Sequence, residues 1–384
     1  MAQQKKIIIH NKSDKPDNVV LKEHEIVTKC EAIQLRLPGF MNGYFVYLKG
    51  NVLPMTRLAY LQDIHFFCEY LIKQTDCTKA SVPKEISLHD FEGIRSVDIN
   101  LFIDYCRKYE RETDNAVYIY ENSNKTLARK KSSVSVLFKQ LYRDQLIGKN
   151  ITDGFDPIRV PKPGEREIKA LQDDEVMVML DAVSTGSGLT GKEMEYWQKT
   201  KKRDKAILIL FLTYGLRLSE LQQLNVASFH FGRGEFKIYR KRGKESTMPL
   251  NRSVTMTIRD YLDNERYETD SVSPNNKDAL FLSLQGKRMT ERQIRELVKK
   301  YTSIGMKTSR NSGYSPHKLR ATAATSLIGR GNSIFDVQHL LDHEQVTTTQ
   351  LYAAHKMNVK RDLVNDMEWE IERKDQGTGD NEKD

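Results

Sequence analysis

A chain of 384 residues is long for one hydrophobic core and comfortable for two, since domains usually run to about 100–200 residues. Apolar residues make up 39 % of it, and no uncharged apolar run reaches the roughly 18 residues of a membrane-spanning helix, so a membrane protein is not expected. The formal net charge of +9 suits a polyanionic partner, because Lys and Arg gain affinity by displacing counterions from phosphates.

Residues 1–27 lack clear periodicity and read as a partly disordered extension. Their apolar stretch, Ile7 to Ile9, is far short of a signal-peptide core, so a cytoplasmic protein is expected. Residues 28–160 read as helical. Thr56–Gln74 places Leu58, Leu61, Ile64, Phe67, Cys68 and Leu71 at helical spacing, and Asp98–Tyr109 repeats the pattern with Ile99, Phe102, Ile103 and Cys106. Thr126–Leu146 follows, with an exposed side expected to carry Arg129, Lys130, Lys131, Lys139 and Arg143. Such a face suits contact with a DNA backbone, or is an ordinary solvated face. The four cysteines, Cys30, Cys68, Cys77 and Cys106, form no C-x-x-C pair and read as reduced, mostly buried thiols; no metal site is expected.

Asp156–Glu167 holds three prolines, a glycine and several charges, the composition of a linker. The boundary is set there, with residues 161–168 as linker and 169–371 as a second domain. Within that domain Thr200–Tyr214 contains AILILFLTY, apolar on all sides and so expected to be deeply buried. Glu235–Tyr239 and Ser246–Leu250 read as a hairpin around a basic turn, with Arg240, Arg242 and Lys244 as candidate DNA contacts. Helices are expected over Val254–Asn264, Glu291–Thr302, His317–Arg330, Ser333–Asp342 and Thr347–His355. Ser315 and Pro316 suit an N-cap and first turn. The tail from residue 372 is polar and reads as disordered.

Several residues of this second half carry potential chemistry. Taken singly, each has an ordinary reading: Arg217 paired with Glu220, His317 and Arg320 as a surface pair, Lys241 solvated on a turn, Tyr352 half-buried. His339 and His343 lie four apart, yet there is no H-E-x-x-H glutamate and no obvious third ligand. In order along one domain, however, stand Arg217, Lys241, His317-x-x-Arg320, His343 and Tyr352. The strings GLRLSEL, SPHKLRATAAT and LLDHEQVTTTQLY resemble the three boxes of the tyrosine recombinase, or phage integrase, family. The resemblance covers roughly residues 28–370. Two positions depart from the family pattern: Ala321 stands where the second box commonly has histidine, and Asp342 stands where the third usually has glycine.

The resemblance implies a mainly α fold with a small antiparallel sheet. A SAM-like core-binding helical bundle and a DNA breaking-rejoining catalytic domain would form a C-shaped clamp on duplex DNA. It implies Tyr352 as nucleophile, Arg217 and Arg320 on the non-bridging phosphate oxygens, His317 and His343 as proton donors or shuttles, and Glu220 in support. RKRGKESTMPL fits the family hairpin best with Lys241 as the catalytic lysine, Lys244 being the other candidate. These residue types suit the chemistry. A phosphotyrosine conserves the phosphodiester bond energy, so no cofactor is expected, and fork-shaped guanidinium groups match the charge gathering in the transition state.

The implied activity is site-specific recombination through a 3′-phosphotyrosine and a Holliday junction, for integration or excision of a mobile element. Xer-type dimer resolution and DNA relaxation of the type IB topoisomerase kind are the alternatives. The implied partners are a double-stranded recombination site in the nucleoid, a homo-tetramer, and accessory DNA-bending proteins. Val359–Ile371, with Leu363, Met367 and Trp369, fits either exchange between protomers or packing on its own domain.

Overall fold

A helix begins well before the expected boundary at residue 28. In the computed structural model of the chain, which describes residues 9, 15–161, 169–240, 244–266, 272 and 276–342, α1 spans Asp17–Gln34. Pro16 stands at its N-cap and Asp17 supplies a carboxylate to the first turn, where the helix dipole favours it. Only Val19 and Cys30 of this helix are buried, which is why its sequence shows so little periodicity. It packs on α3 (Pro54–Gln74), which follows α2 (Asn42–Asn51).

The part of the chain as far as Lys162, which makes up most of the first unit, is built on α3, α4 (Leu88–Glu92), α5 (Ser96–Tyr105) and α6 (Asn124–Arg143). Leu61, Ile64 and Phe67 meet Ile99 and Phe102 of α5 and Leu127, Val134, Leu137 and Phe138 of α6 in one core. Phe67 sits edge-on to Phe102 at 4.9 Å between centroids, and Phe91 stacks on Phe138 at 5.8 Å. Between α5 and α6 the all-helical expectation fails. Lys108–Thr113 (β1) and Ala116–Glu121 (β2) form an antiparallel hairpin. Nearly every residue of it is exposed; the β-branched and aromatic run Val117–Tyr120 is its one strand signal, which the helical expectation overlooks. Cys30, Cys68 and Cys106 are buried free thiols, and Cys77 is half-buried.

The second unit is organised around α9 (Lys201–Tyr214), after α7 (Asp173–Thr185) and α8 (Gly191–Gln198). Ala206, Ile207, Leu208, Leu210 and Phe211 are fully buried, as an all-round apolar helix requires. The short α10 (Leu218–Gln222) leads into a three-stranded antiparallel sheet of β3 (Phe229–His230), β4 (Glu235–Tyr239) and β5 (Glu245–Pro249). The strand β3 adds one member to the expected hairpin. Then come α11 (Arg252–Tyr261), α12 (Glu291–Gly305), α13 (Pro316–Gly329) and α14 (Ile334–Leu341). Helices α7, α11 and α13 pack on α9. The expected helices Thr347–His355 and Val359–Ile371 and the tail lie outside the described residues. No helix among the described residues is long and apolar enough to cross a membrane.

Candidate active site

The site is assembled where α9 ends. Gly215 terminates that helix in the left-handed conformation, φ 55°, and its amide donates to the Phe211 carbonyl. A Cβ there would lie 2.5 Å from Leu341 Cδ2, so glycine serves both the turn and the close approach of α14. The chain then reverses into α10 with Arg217 at the N-cap. The Glu220 carboxylate accepts the Arg217 amide at 2.8 Å through one oxygen and the guanidinium Nη1 at 2.8 Å through the other. Glu220 is only 2 % exposed, so this ion pair is held from its buried end.

Arg320 comes to the same place from α13. Its side chain is buried, donating to the Gly215 carbonyl at 2.6 Å through Nη1 and to the Leu341 carbonyl through Nη2. Arg217 Nη2 donates to the next carbonyl along, that of Asp342, at 3.1 Å. Two guanidinium groups 103 positions apart in sequence thus converge on consecutive carbonyls at the end of α14. They hold the last two described residues of the chain, Leu341 and Asp342, at the end of α14.

Asp342 caps α14 with φ 51° and ψ 53°, the left-handed region. Here lies the physical content of the departure noted in the sequence: the position asks for glycine, and aspartate is among the few other residues that tolerate it. His317 stands exposed on the first turn of α13, three residues before Arg320. Its neighbour Lys318 has its ammonium pKa lowered by burial and then by Lys169.

Lys241, Arg242, His343 and Tyr352 lie outside the described residues. The flanks of the turn are described: the Arg240 amide donates to the Lys244 carbonyl at 2.8 Å, the Arg240 side chain is buried, and Lys244 is exposed.

The basic face of α6 also needs correction. Lys130 is 7 % exposed rather than solvated. Its ammonium lies 3.2 Å from Asp63 Oδ1 and 4.4 Å over the Phe66 ring. Asp63, itself buried, accepts Ser133 Oγ at 2.8 Å and pairs with Arg129, whose side chain remains 42 % exposed. The stripe of cations turns inward because a buried carboxylate on α3 must be neutralised. Lys131 Nζ donates to the Phe155 carbonyl at 3.2 Å, while Lys139 and Arg143 are exposed. The sequence reading missed Asp63; an acid inside the otherwise apolar face of Thr56–Gln74 was the available signal.

Residues 169–358 match the Phage integrase family. Among curated proteins, the chain is 32 % identical over 334 residues to a tyrosine recombinase XerC of Caldanaerobacter subterraneus subsp. tengcongensis, covering 86 % of this chain and 85 % of that one. It is 36 % identical over 235 residues to a tyrosine recombinase XerC of Natranaerobius thermophilus, covering 61 % and 72 %. Among solved structures, the XerH site-specific recombinase bound to palindromic difH substrate superposes with a TM-score of 0.57 at 16 % identity, over 93 % of this chain and 91 % of that one, a likeness of fold. The convergent arginines, the ordered boxes and these relatives agree, and the chain belongs to the tyrosine recombinase, or phage integrase, family of site-specific recombination enzymes.

Proposed function

We propose that the chain exchanges DNA strands at a defined site, with Tyr352 attacking the scissile phosphate to give a 3′-phosphotyrosine and a free 5′ hydroxyl. The observation that carries this reading is the convergence of Arg217 and Arg320 on the carbonyls of Asp342 and Leu341. Both guanidinium groups stay charged at any working pH, and the N–H groups they do not give to the protein suit the non-bridging oxygens, where the transition state concentrates charge. Glu220 and the two carbonyls orient them beforehand. His317 and His343 donate or shuttle protons near neutral pH, and Lys241 protonates the departing 5′ oxygen. The tyrosine ester conserves the energy of the broken bond, so the partner strand's 5′ hydroxyl reseals it and the exchange passes through a four-way junction.

Double-stranded DNA is the substrate, engaged by four copies on paired sites in the cytoplasm, at the nucleoid. The exposed Lys139 and Arg143 of α6 contact the phosphate backbone. Accessory DNA-bending proteins and exchange of the C-terminal segment between protomers belong to the same reading. The biological task is integration or excision of a mobile element, supported by the divergence at Ala321 and Asp342. Dimer resolution is the second reading, favoured by full-length relatives that carry the XerC name.

The test is to express the protein in a host carrying its native DNA, quench with detergent, and sequence what stays covalently attached, with Tyr352→Phe as control. One short site, lost in the variant, is expected, and its position inside or outside a mobile element separates the two tasks. Covalent DNA without sequence preference would favour relaxation of the topoisomerase kind, and a cleaving Phe variant would sink the nucleophile.

A further inference from the structure

Tyr214 is the last residue of α9 and stands directly before Gly215. Its side chain is buried and makes two kinds of contact. The ring meets Phe236 of β4 edge-on at 4.9 Å between centroids, and Phe236 stacks in turn on Phe229 of β3 at 4.9 Å. The hydroxyl donates to the carbonyl of Pro249, the last residue of β5, at 2.7 Å.

The strand pattern explains why that carbonyl is available. With the order β3-β4-β5, β5 is an edge strand. The Leu250 amide donates to Gly234 at 2.7 Å, and the Lys244 carbonyl accepts the Arg240 amide at 2.8 Å. Even positions of this stretch therefore turn their backbone groups toward β4, and odd positions turn away from it. Pro249 occupies an outward position, where its missing N–H removes no ladder bond and its carbonyl faces away from the sheet. Tyr214 supplies the donor.

One side chain thus joins two parts of the candidate site. On one side is the turn after α9, where Gly215 gives its carbonyl to Arg320 at 2.6 Å and Arg217 follows two positions later. On the other are β4 and β5, the strands that lead into and out of the turn holding Lys241 and Lys244. Lys241 lies outside the described residues, and Lys244 is exposed.

We propose that Tyr214 is a positioning residue for protonation of the leaving group: it fixes the strands that carry the lysine to the turn that carries the arginines. The inference rests on the strand-exchange reading above. In that reading a bond from the Tyr352 oxygen to phosphorus forms as the bond from phosphorus to the 5′ oxygen breaks. The electron pair leaves on the 5′ oxygen, a lysine ammonium protonates it, and a histidine of the site takes up the phenol proton. Tyr214, whose hydroxyl is engaged by Pro249, takes no part in the bond changes. Its loss should slow the reaction only where a proton must reach the leaving group.

Rates of covalent-complex formation on two duplexes test it, both carrying the short site recovered from trapped DNA. One duplex has the ordinary bridging 5′ oxygen at the scissile phosphate, and the other a bridging 5′ sulfur. A thiol ionises at about 8.5 and water at about 15.7, so sulfur leaves without a proton and oxygen does not. Tyr214→Phe should be slower than wild type by about tenfold or more on oxygen and within about twofold of it on sulfur. Arg217→Ala should be slow on both, because sulfur does nothing for the charge on the non-bridging oxygens. A variant that merely folded less well would also be slow on both. Lys241→Ala and Lys244→Ala are measured in parallel, and one of them should be rescued by sulfur in the same way. If a lysine variant is rescued while Tyr214→Phe is either unimpaired on oxygen or equally slow on both duplexes, the positioning role is overturned and the lysine reading stands. If neither lysine variant is rescued, the leaving-group reading itself falls, and this inference falls with it.

Discussion

Arg217 donates to the carbonyl of Asp342 at 3.1 Å, and Asp342 presents that carbonyl from a left-handed backbone with φ 51°. An L-residue pays about 1–2 kcal/mol in this region, less for aspartate, and glycine pays almost nothing. Asp342→Gly should therefore be neutral or stabilising by up to about 1 kcal/mol. Asp342→Val should cost about 2 kcal/mol, because a β-branched side chain is a steric outlier there, and should lower covalent-complex yield by disturbing the carbonyl that holds Arg217. Denaturant midpoints and trapped DNA read the two effects separately.

Glu220 serves Arg217 twice, as acceptor for its amide and as counter-ion for its guanidinium. Glu220→Gln keeps the amide acceptor and loses the charge, so stability should change little while covalent-complex yield falls. Glu220→Ala removes both and should cost about 1–3 kcal/mol, the combined loss of a cap and a charged hydrogen bond. Equal destabilisation by Gln and Ala would refute this division of labour. Thermal melting beside single-site cleavage is the measurement.

Asp63 neutralises two cations of α6, and one of them, Lys130, is buried. Asp63→Ala leaves that ammonium without its partner and should destabilise by about 3 kcal/mol. Lys130→Met, of similar length and apolar, should be far milder on Asp63's remaining partners and should leave the salt dependence of DNA binding unchanged. Lys139→Ala and Arg143→Ala should each reduce the salt slope by about 1 without altering stability. Fluorescence titrations with duplex DNA across a salt series distinguish the two groups.

Two glutamates give stability opposite responses to pH. The hydrogen-bonded Arg310 holds Glu193 down at about 2 against an ordinary 4.5, so its contribution is present above pH 4.5 and is lost as pH falls toward 2. Burial raises Glu265 to about 7, although the amides of Lys202 and Arg203 donate to its carboxylate. Its folded state holds the proton more tightly, so its contribution is present below pH 4.5 and is lost as pH rises toward 7. Glu265→Gln should flatten the decline between those values, and Glu193→Gln should destabilise at neutral pH but not at pH 2. Urea midpoints against pH report both.

The sequence by itself determined the local elements with strong periodicity and the family to which the chain belongs. The run AILILFLTY could only be a buried helix, Ser315 and Pro316 placed the start of α13 correctly, and the order Arg217, His317, Arg320, His343, Tyr352 pointed to the family before any coordinates. Weakly patterned segments escaped: α1 buries two residues and so leaves no periodic trace, and β1–β2 shows only the short run Val117–Tyr120. Only the tertiary structure decided where charges end up. Nothing local tells Lys130 from Lys139; a carboxylate 67 positions away makes one buried and leaves the other to solvent. The meeting of Arg217 and Arg320 at the end of α14 likewise depends on how three helices pack, because a side chain's partner is set by distance in space, which sequence spacing fixes only within a turn or two of the same helix.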